Sequence, residues 1–105
     1  MKNNKALMTL VAIGIALYFL GRKKAPAGAK KSPCGGVGDP NMDGWVSQAD
    51  IALTQQFIMG TITPTAEQFR RADVNGDGMV NMGDVIRMER YLLGLDSTFP
   101  VCSQV

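Results

Sequence analysis

Hydrophobic and polar positions divide the chain into zones of different period. From Ala6 to Gly21 (ALMTLVAIGIALYFLG) sixteen residues run without a charge, and Thr9 is the one clearly polar side chain among them. Residues 22–33 (RKKAPAGAKKSP) carry no apolar face of any period and read as a linker. Further on, apolar residues recur at helical spacing twice, at Ile51, Leu53, Phe57 and Ile58 and again at Val85, Met88, Tyr91 and Leu92. Each set falls on one face of a helix, which predicts helices over 48–59 and 82–93 whose apolar faces pack on one another. Gly60 and Gly94 stand where a left-handed C-terminal cap is needed. A third helix is predicted over 64–71, with Thr63 as its N-cap and Pro64 at the first helical position. The expected fold is all-α, a small three-helix domain over residues 34–105 behind an N-terminal segment, 1–21.

The polar stretches that precede the first and third helices are one pattern written twice. Asp39–Asp50 reads DPNMDGWVSQAD, and 34 residues later Asp73–Asp84 reads DVNGDGMVNMGD. Oxygen-bearing side chains fall at positions one, three, five, nine and twelve: Asp39, Asn41, Asp43, Ser47 and Asp50 in the first, Asp73, Asn75, Asp77, Asn81 and Asp84 in the second. Position six is Gly44 or Gly78, where the backbone must turn sharply, and position seven, Trp45 or Met79, has only its carbonyl to offer. A hard divalent cation takes six to eight oxygens, so alternate short side chains converge on it, and this is the rhythm of an EF-hand-type calcium loop. The repeat continues into IALTQQFIMG and VIRMERYLLG, each with an aromatic residue seven positions beyond the last Asp. The Trp45 ring, facing away from the metal, is expected to pack against a neighbouring helix.

The segment before the first loop, SPCGGVG, holds three glycines and a proline and so cannot form an entering helix. Both loops also end in Asp where a calcium loop of the general type ends in a bidentate Glu. Paired loops that end in Asp, each followed by one helix and a glycine, resemble a dockerin, the calcium-dependent partner module of cohesin domains, over about residues 37–100. The resemblance implies two bound calcium ions and a cohesin-like partner. It also implies partner-contacting positions at the tenth and eleventh residues of each loop and on the helix that follows: Gln48, Ala49, Gln55 and Gln56 in the first half, Met82, Gly83, Glu89 and Arg90 in the second. A solvated helix face is the plain alternative for Gln55, Gln56, Glu89 and Arg90.

Charge sharpens the division. Residues 1–31 contain seven basic residues and no acidic one, whereas residues 32–105 contain four basic and nine acidic, so a net charge of +2 conceals opposed halves. Six of the nine acids lie in the two loops, where without metal they repel one another, and a less folded metal-free state is expected. The Ala6–Gly21 run spans about 24 Å as a helix, short of the roughly 30 Å hydrocarbon core unless flanking lysines snorkel. Arg22-Lys23-Lys24 follows it directly, as in a stop-transfer flank, so an uncleaved single span in the lipid bilayer is expected rather than a signal peptide. The basic run is expected to meet anionic lipid headgroups, not nucleic acid. Charge bias leans toward a cytoplasmic C-terminal side; simple calcium sites and cysteine pairing lean toward the non-cytoplasmic side, which is the expectation here.

Cys34 and Cys102 bracket the duplicated unit, and with no histidine in the chain a zinc site lacks ligands. They are either two free thiols in a reducing compartment or, because a tandem of similar halves brings its ends together, a disulfide; the second is expected. Phe99, Pro100 and Val101 are expected to return toward Val37. No histidine is available for general-base work, no nucleophile motif is present and the carboxylates are committed to metal, so an enzyme is the weakest reading and is not expected. Two functions remain: a membrane-tethered module docking a cohesin-like protein when calcium is bound, or a structural or assembly protein of a cell envelope or membrane-containing particle whose head calcium merely stabilises.

Overall fold

The structure is a computed structural model and describes residues 25–104. It contains three helices, α1 (Gln48–Met59), α2 (Ala66–Ala72) and α3 (Met82–Leu92), and a terminal 3-10 turn, Pro100–Ser103. The predicted span at 6–21 lies outside the described residues; among those described, no helix is long and apolar enough to cross a membrane.

The two apolar stripes meet, except that Leu53 of the first is half-buried and stands outside the core. Ile51 and Phe57 of α1 and Val85, Met88 and Tyr91 of α3 are buried, and α1 packs directly on α3. Val37, Val46, Val74 and Phe99 complete the same core from the loops and the C-terminal tail. Tyr91 and Phe99 pack with ring centroids 4.7 Å apart and their planes tilted by 44°, and Phe99 also lies against Gly38 and shares the core with Val37, so the tail does return toward the start of the first loop. Each such side chain contributes about 1.5–3 kcal/mol when fully buried, and the contiguous core, eight residues with Phe57 buried beside it, is small for a domain of this length. Thr54, wholly buried between the helices, satisfies its hydroxyl by donating to the Asp50 carbonyl at 2.8 Å. Helix α1 closes on Gly60 at φ 77°, and Gly94 follows α3 at φ 79°.

Helix α2 ends one residue later than expected, at Ala72, and α3 one residue earlier, at Leu92; the larger difference is at the start of α2. Helix α2 starts two residues later, at Ala66, with Thr65 as its N-cap in place of Thr63. The Thr65 hydroxyl accepts the Gln68 N–H at 3.1 Å and the Gln68 carboxamide accepts the Thr65 N–H at 2.9 Å. This reciprocal box satisfies two backbone donors, more than a proline at the first position offers. As expected, no helix leads into the first loop, and the segment from Ser32 to Gly38 is a series of turns.

Cys34 and Cys102 are joined in a disulfide with their Cα atoms 5.8 Å apart. The C-terminal tail also pairs with the second loop, through Val101 N–H to the Val74 carbonyl at 3.0 Å and Gln104 Nε2 to the Asn75 carbonyl at 3.2 Å. At the other end, Lys30 forms an isolated antiparallel bridge with Val46. The last residues of the polar stretch 22–33 therefore lie against the domain. The Trp45 ring is covered on one side by Lys31, whose Nζ sits 4.6 Å from the ring centroid.

Candidate metal centres

Both loops fold around a network of side-chain to backbone bonds that repeats position for position. At position one, Asp39 Oδ2 accepts the Gly44 N–H and Asp73 Oδ2 the Gly78 N–H, each at 3.0 Å. These bonds need the chain to double back at position six, where Gly44 and Gly78 take φ values of 92° and 84°, a left-handed region costly for any residue with a Cβ. At position three, Asn41 Oδ1 accepts the Asp43 N–H at 3.1 Å and Asn75 Oδ1 the Asp77 N–H at 3.2 Å. At position five, Asp43 Oδ1 accepts the Trp45 N–H at 2.9 Å and Asp77 Oδ1 the Met79 N–H at 3.0 Å.

Position twelve ties the two ends of each loop together. Asp50 accepts the Asn41 N–H at 3.2 Å and the Ser47 N–H at 2.9 Å, and Asp84 does the same for Asn75 and Asn81 at the same two distances. The carboxylate belongs to the first turn of the following helix, so helix and loop are set against one another by a single side chain. Asn81 caps α3 by accepting the Gly83 N–H at 3.0 Å.

The result is two carboxylate triads, Asp39–Asp43–Asp50 and Asp73–Asp77–Asp84, each with one oxygen per residue within 4.8 Å of the others. Asp50 and Asp84 are fully buried and Asp39 nearly so. Burial, opposed by the backbone N–H bonds and reinforced by Asp39 and Asp43, pushes the Asp50 carboxyl up to about 7. Burial likewise raises Asp84 and Asp39 above the usual carboxylate range. Such groups are high in energy as anions without a cation among them.

Unpartnered atoms show where that cation fits. Asp39 Oδ1, Asp73 Oδ1 and the Ser47 hydroxyl are buried polar atoms with no hydrogen-bond partner. Two are the same atom of position one in the two loops, and the third is position nine of the first loop. A buried acceptor left unpaired costs about 1–3 kcal/mol, more if charged, so three such atoms beside carboxylate triads are candidate ligand positions. The donor set is oxygen throughout, which suits a hard divalent cation.

Of the positions expected to meet a partner, Gln48, Ala49 and Gln55 are exposed on α1 and Met82 and Arg90 on α3, while Gln56, Gly83 and Glu89 are half-buried. Gln48 Nε2 donates to Glu89 Oε1 at 3.3 Å, which brings the two halves of this set onto one surface. Arg90 is already engaged, donating to both oxygens of Asp96 at 2.8 and 3.1 Å. The sequence reading did not find Arg71, whose Nη1 lies 3.5 Å from Asp39 Oδ2 and donates to the Asp39 carbonyl at 3.3 Å. A contact between residues 32 apart carries no local signal.

Comparison with known proteins agrees with this geometry. The dockerin type I domain family matches residues 37–93. Among solved structures, a chain of the Coh-OlpC-Doc435 complex, described as a novel type I cohesin–dockerin complex from Clostridium thermocellum, is 35% identical, with a TM-score of 0.56 over 61% of this chain and 94% of that one. A chain from the complex of the third cohesin of ScaC with the ScaB dockerin of Acetivibrio cellulolyticus is 28% identical, with a TM-score of 0.60 over 70% of this chain and 99% of that one. A chain from the complex of the sixth cohesin of scaffoldin B with the Cel5 dockerin, from the same organism, is 29% identical, with a TM-score of 0.56 over 60% and 98%. Among curated proteins none matches. With more than half of its length covered by one family's pattern and both of its triads inside that match, the chain belongs to the dockerin type I family.

Proposed function

We propose that this protein is a calcium-binding dockerin that docks a cohesin-like partner when its two loops are filled, and that residues 6–21 tether it to a membrane with the domain on the non-cytoplasmic side. The observation that carries the reading is the pair of orphaned position-one oxygens, Asp39 Oδ1 and Asp73 Oδ1, each turned into a triad of carboxylates. Side chains at positions one, three, five, nine and twelve and the carbonyls of Trp45 and Met79 would hold one calcium ion per loop. The ion offsets the repulsion and desolvation of three carboxylates and so holds each helix start against its loop.

Docking follows from that rigidity. The solved relatives are dockerins in complexes with cohesins. In this chain the corresponding surface runs from Gln48, Ala49, Gln55 and Gln56 on α1 to Met82, Gly83, Glu89 and Arg90 on α3, and each helix is anchored to its calcium loop through Asp50 or Asp84. The disulfide supports an oxidising location for the domain.

The test is capture by an immobilised type I cohesin, with calcium and then with chelator. Retention in calcium and release on chelation is the expected result. Calcium-loaded protein that passes through without retention would remove the docking reading while leaving the metal sites in place.

A further inference from the structure

The two loops are supported differently. The second is entered by a helix, and Asp73 continues from it with its N–H donating to the Phe69 carbonyl at 2.9 Å. The first has no entering helix, yet its middle is held more firmly, by a segment outside the repeat. Lys30 N–H donates to the Val46 carbonyl at 2.9 Å and Val46 N–H to the Lys30 carbonyl at 2.7 Å. Val46 is loop position eight, between the ligand positions Trp45 and Ser47. Its counterpart Val80 makes no such backbone pair among the described residues.

Side chains button the same two residues down. Lys30 Nζ donates to the Tyr91 carbonyl at the end of α3 at 2.9 Å, and lies 5.1 Å from the Tyr91 ring centroid. The Tyr91 hydroxyl donates to the Lys31 carbonyl at 2.6 Å, and Lys31 covers Trp45. Together these contacts span the first loop, the segment from the N-terminal region and the last turn of the helix that leaves the second loop.

We propose that Lys30 and Lys31 form a strap that positions the first calcium loop in place of the missing entering helix, so that filling of that loop and docking of the strap drive one another. This rests on the calcium reading above. Fixing both backbone groups of position eight holds the position-seven carbonyl and the Ser47 hydroxyl where an ion needs them. Coupling of this kind is reciprocal: strap docking raises the affinity of the loop by the factor by which the ion raises strap docking. Calcium then acts beyond the head itself, because an empty first loop releases the strap and lengthens the tether that joins the domain to the proposed anchor at residues 6–21.

The experiment uses the full chain, solubilised in detergent micelles, with calcium titrated by calorimetry and amide exchange read with and without calcium. Lys30→Pro deletes the N–H that Val46 accepts. It is expected to weaken one of two sites about tenfold and leave the other within about twofold. The unaffected site, together with unchanged helix content, shows that the variant folds. Tyr91→Phe keeps the ring on Phe99 but removes the hydroxyl from Lys31, and is expected to weaken the same site and speed exchange of the Lys30 amide. In the unaltered chain, chelation should speed exchange of the Lys30 and Val46 amides about tenfold or more. Two sites of unchanged affinity in both variants, or a Lys30 amide indifferent to chelation, would overturn the strap and leave the calcium reading standing. No calcium bound by the unaltered chain would overturn both.

Discussion

Individual side chains carry most of the chemistry. Asp73 has one oxygen bonded to Gly78 N–H and the other unpartnered, so Asp73→Asn keeps the first bond and removes the charge. Calcium affinity of the second loop should fall at least about tenfold, while the metal-free protein gains stability because one of three repelling carboxylates is gone. Melting in chelator and in calcium reads both, and a variant that loses stability in both would show that Asp73 is structural. Asp50 makes the domain sensitive to pH near neutrality. Its folded-state pKa, about 7, lies above its ordinary value of 3.8, so in the metal-free domain the stabilisation it contributes is complete below about 4 and is lost as pH rises through about 7. Calcium requires the anion, so affinity runs the other way and climbs over the same window. The gap between calcium-loaded and metal-free melting temperatures should therefore widen steadily from about pH 5 to about pH 8. Parallel curves would exclude Asp50 as a ligand. Glu67 titrates apart from this: hydrogen bonds from Arg70 and Arg71 hold it down at about 2, and on so exposed a site it affects only the acid limb.

Among the elements, α1 and α3 were legible in the sequence because each joins three signals: an acidic twelfth loop position, an apolar stripe at helical period and a closing glycine. Helix α2 was legible in existence but not in its start. Thr63-Pro64 and Thr65 with Gln68 are both sound N-terminal signatures, and only the folded backbone shows that the reciprocal bonds of the second win. Thr65→Ala should cost about 1 kcal/mol, read by denaturant unfolding in calcium, whereas Thr63→Ala should cost nearly nothing. Equal losses would restore the earlier start. Between the helices, Met88 is fully buried and its sulfur lies 3.8 Å from the Thr54 hydroxyl, so Met88→Ala opens a cavity and exposes a polar group to it. A loss of about 2–5 kcal/mol is expected. The strap was not legible at all. Its bonds to Val46 are backbone to backbone and its two bonds to Tyr91 join residues 61 and 60 apart, so neither leaves a pattern of residue types along the chain.

At the scale of the whole molecule the question is what keeps so small a core folded. Three things close the structure: the α1–α3 interface, the two loops and the Cys34–Cys102 bond across a sequence separation of 68. In the chain-entropy account that bond contributes about 4 kcal/mol. Two calcium ions bound as proposed, each at about a hundredfold excess over its dissociation constant, would contribute about 2.7 kcal/mol apiece and together exceed the disulfide. The magnitudes decide the outcome of removing either. Reduced protein in calcium should stay folded, oxidised protein in chelator should loosen but keep its clasp, and only reduction and chelation together should unfold the domain. Reduction in calcium should lower the melting temperature by on the order of 20 °C, since about 1 kcal/mol moves a domain of this size by about 4–8 °C. Thermal melts followed by circular dichroism under the four combinations test this. If reduction alone unfolded the calcium-loaded domain, the disulfide and not the metal would be its principal closure; if reduction changed nothing, the α1–α3 core would suffice without it.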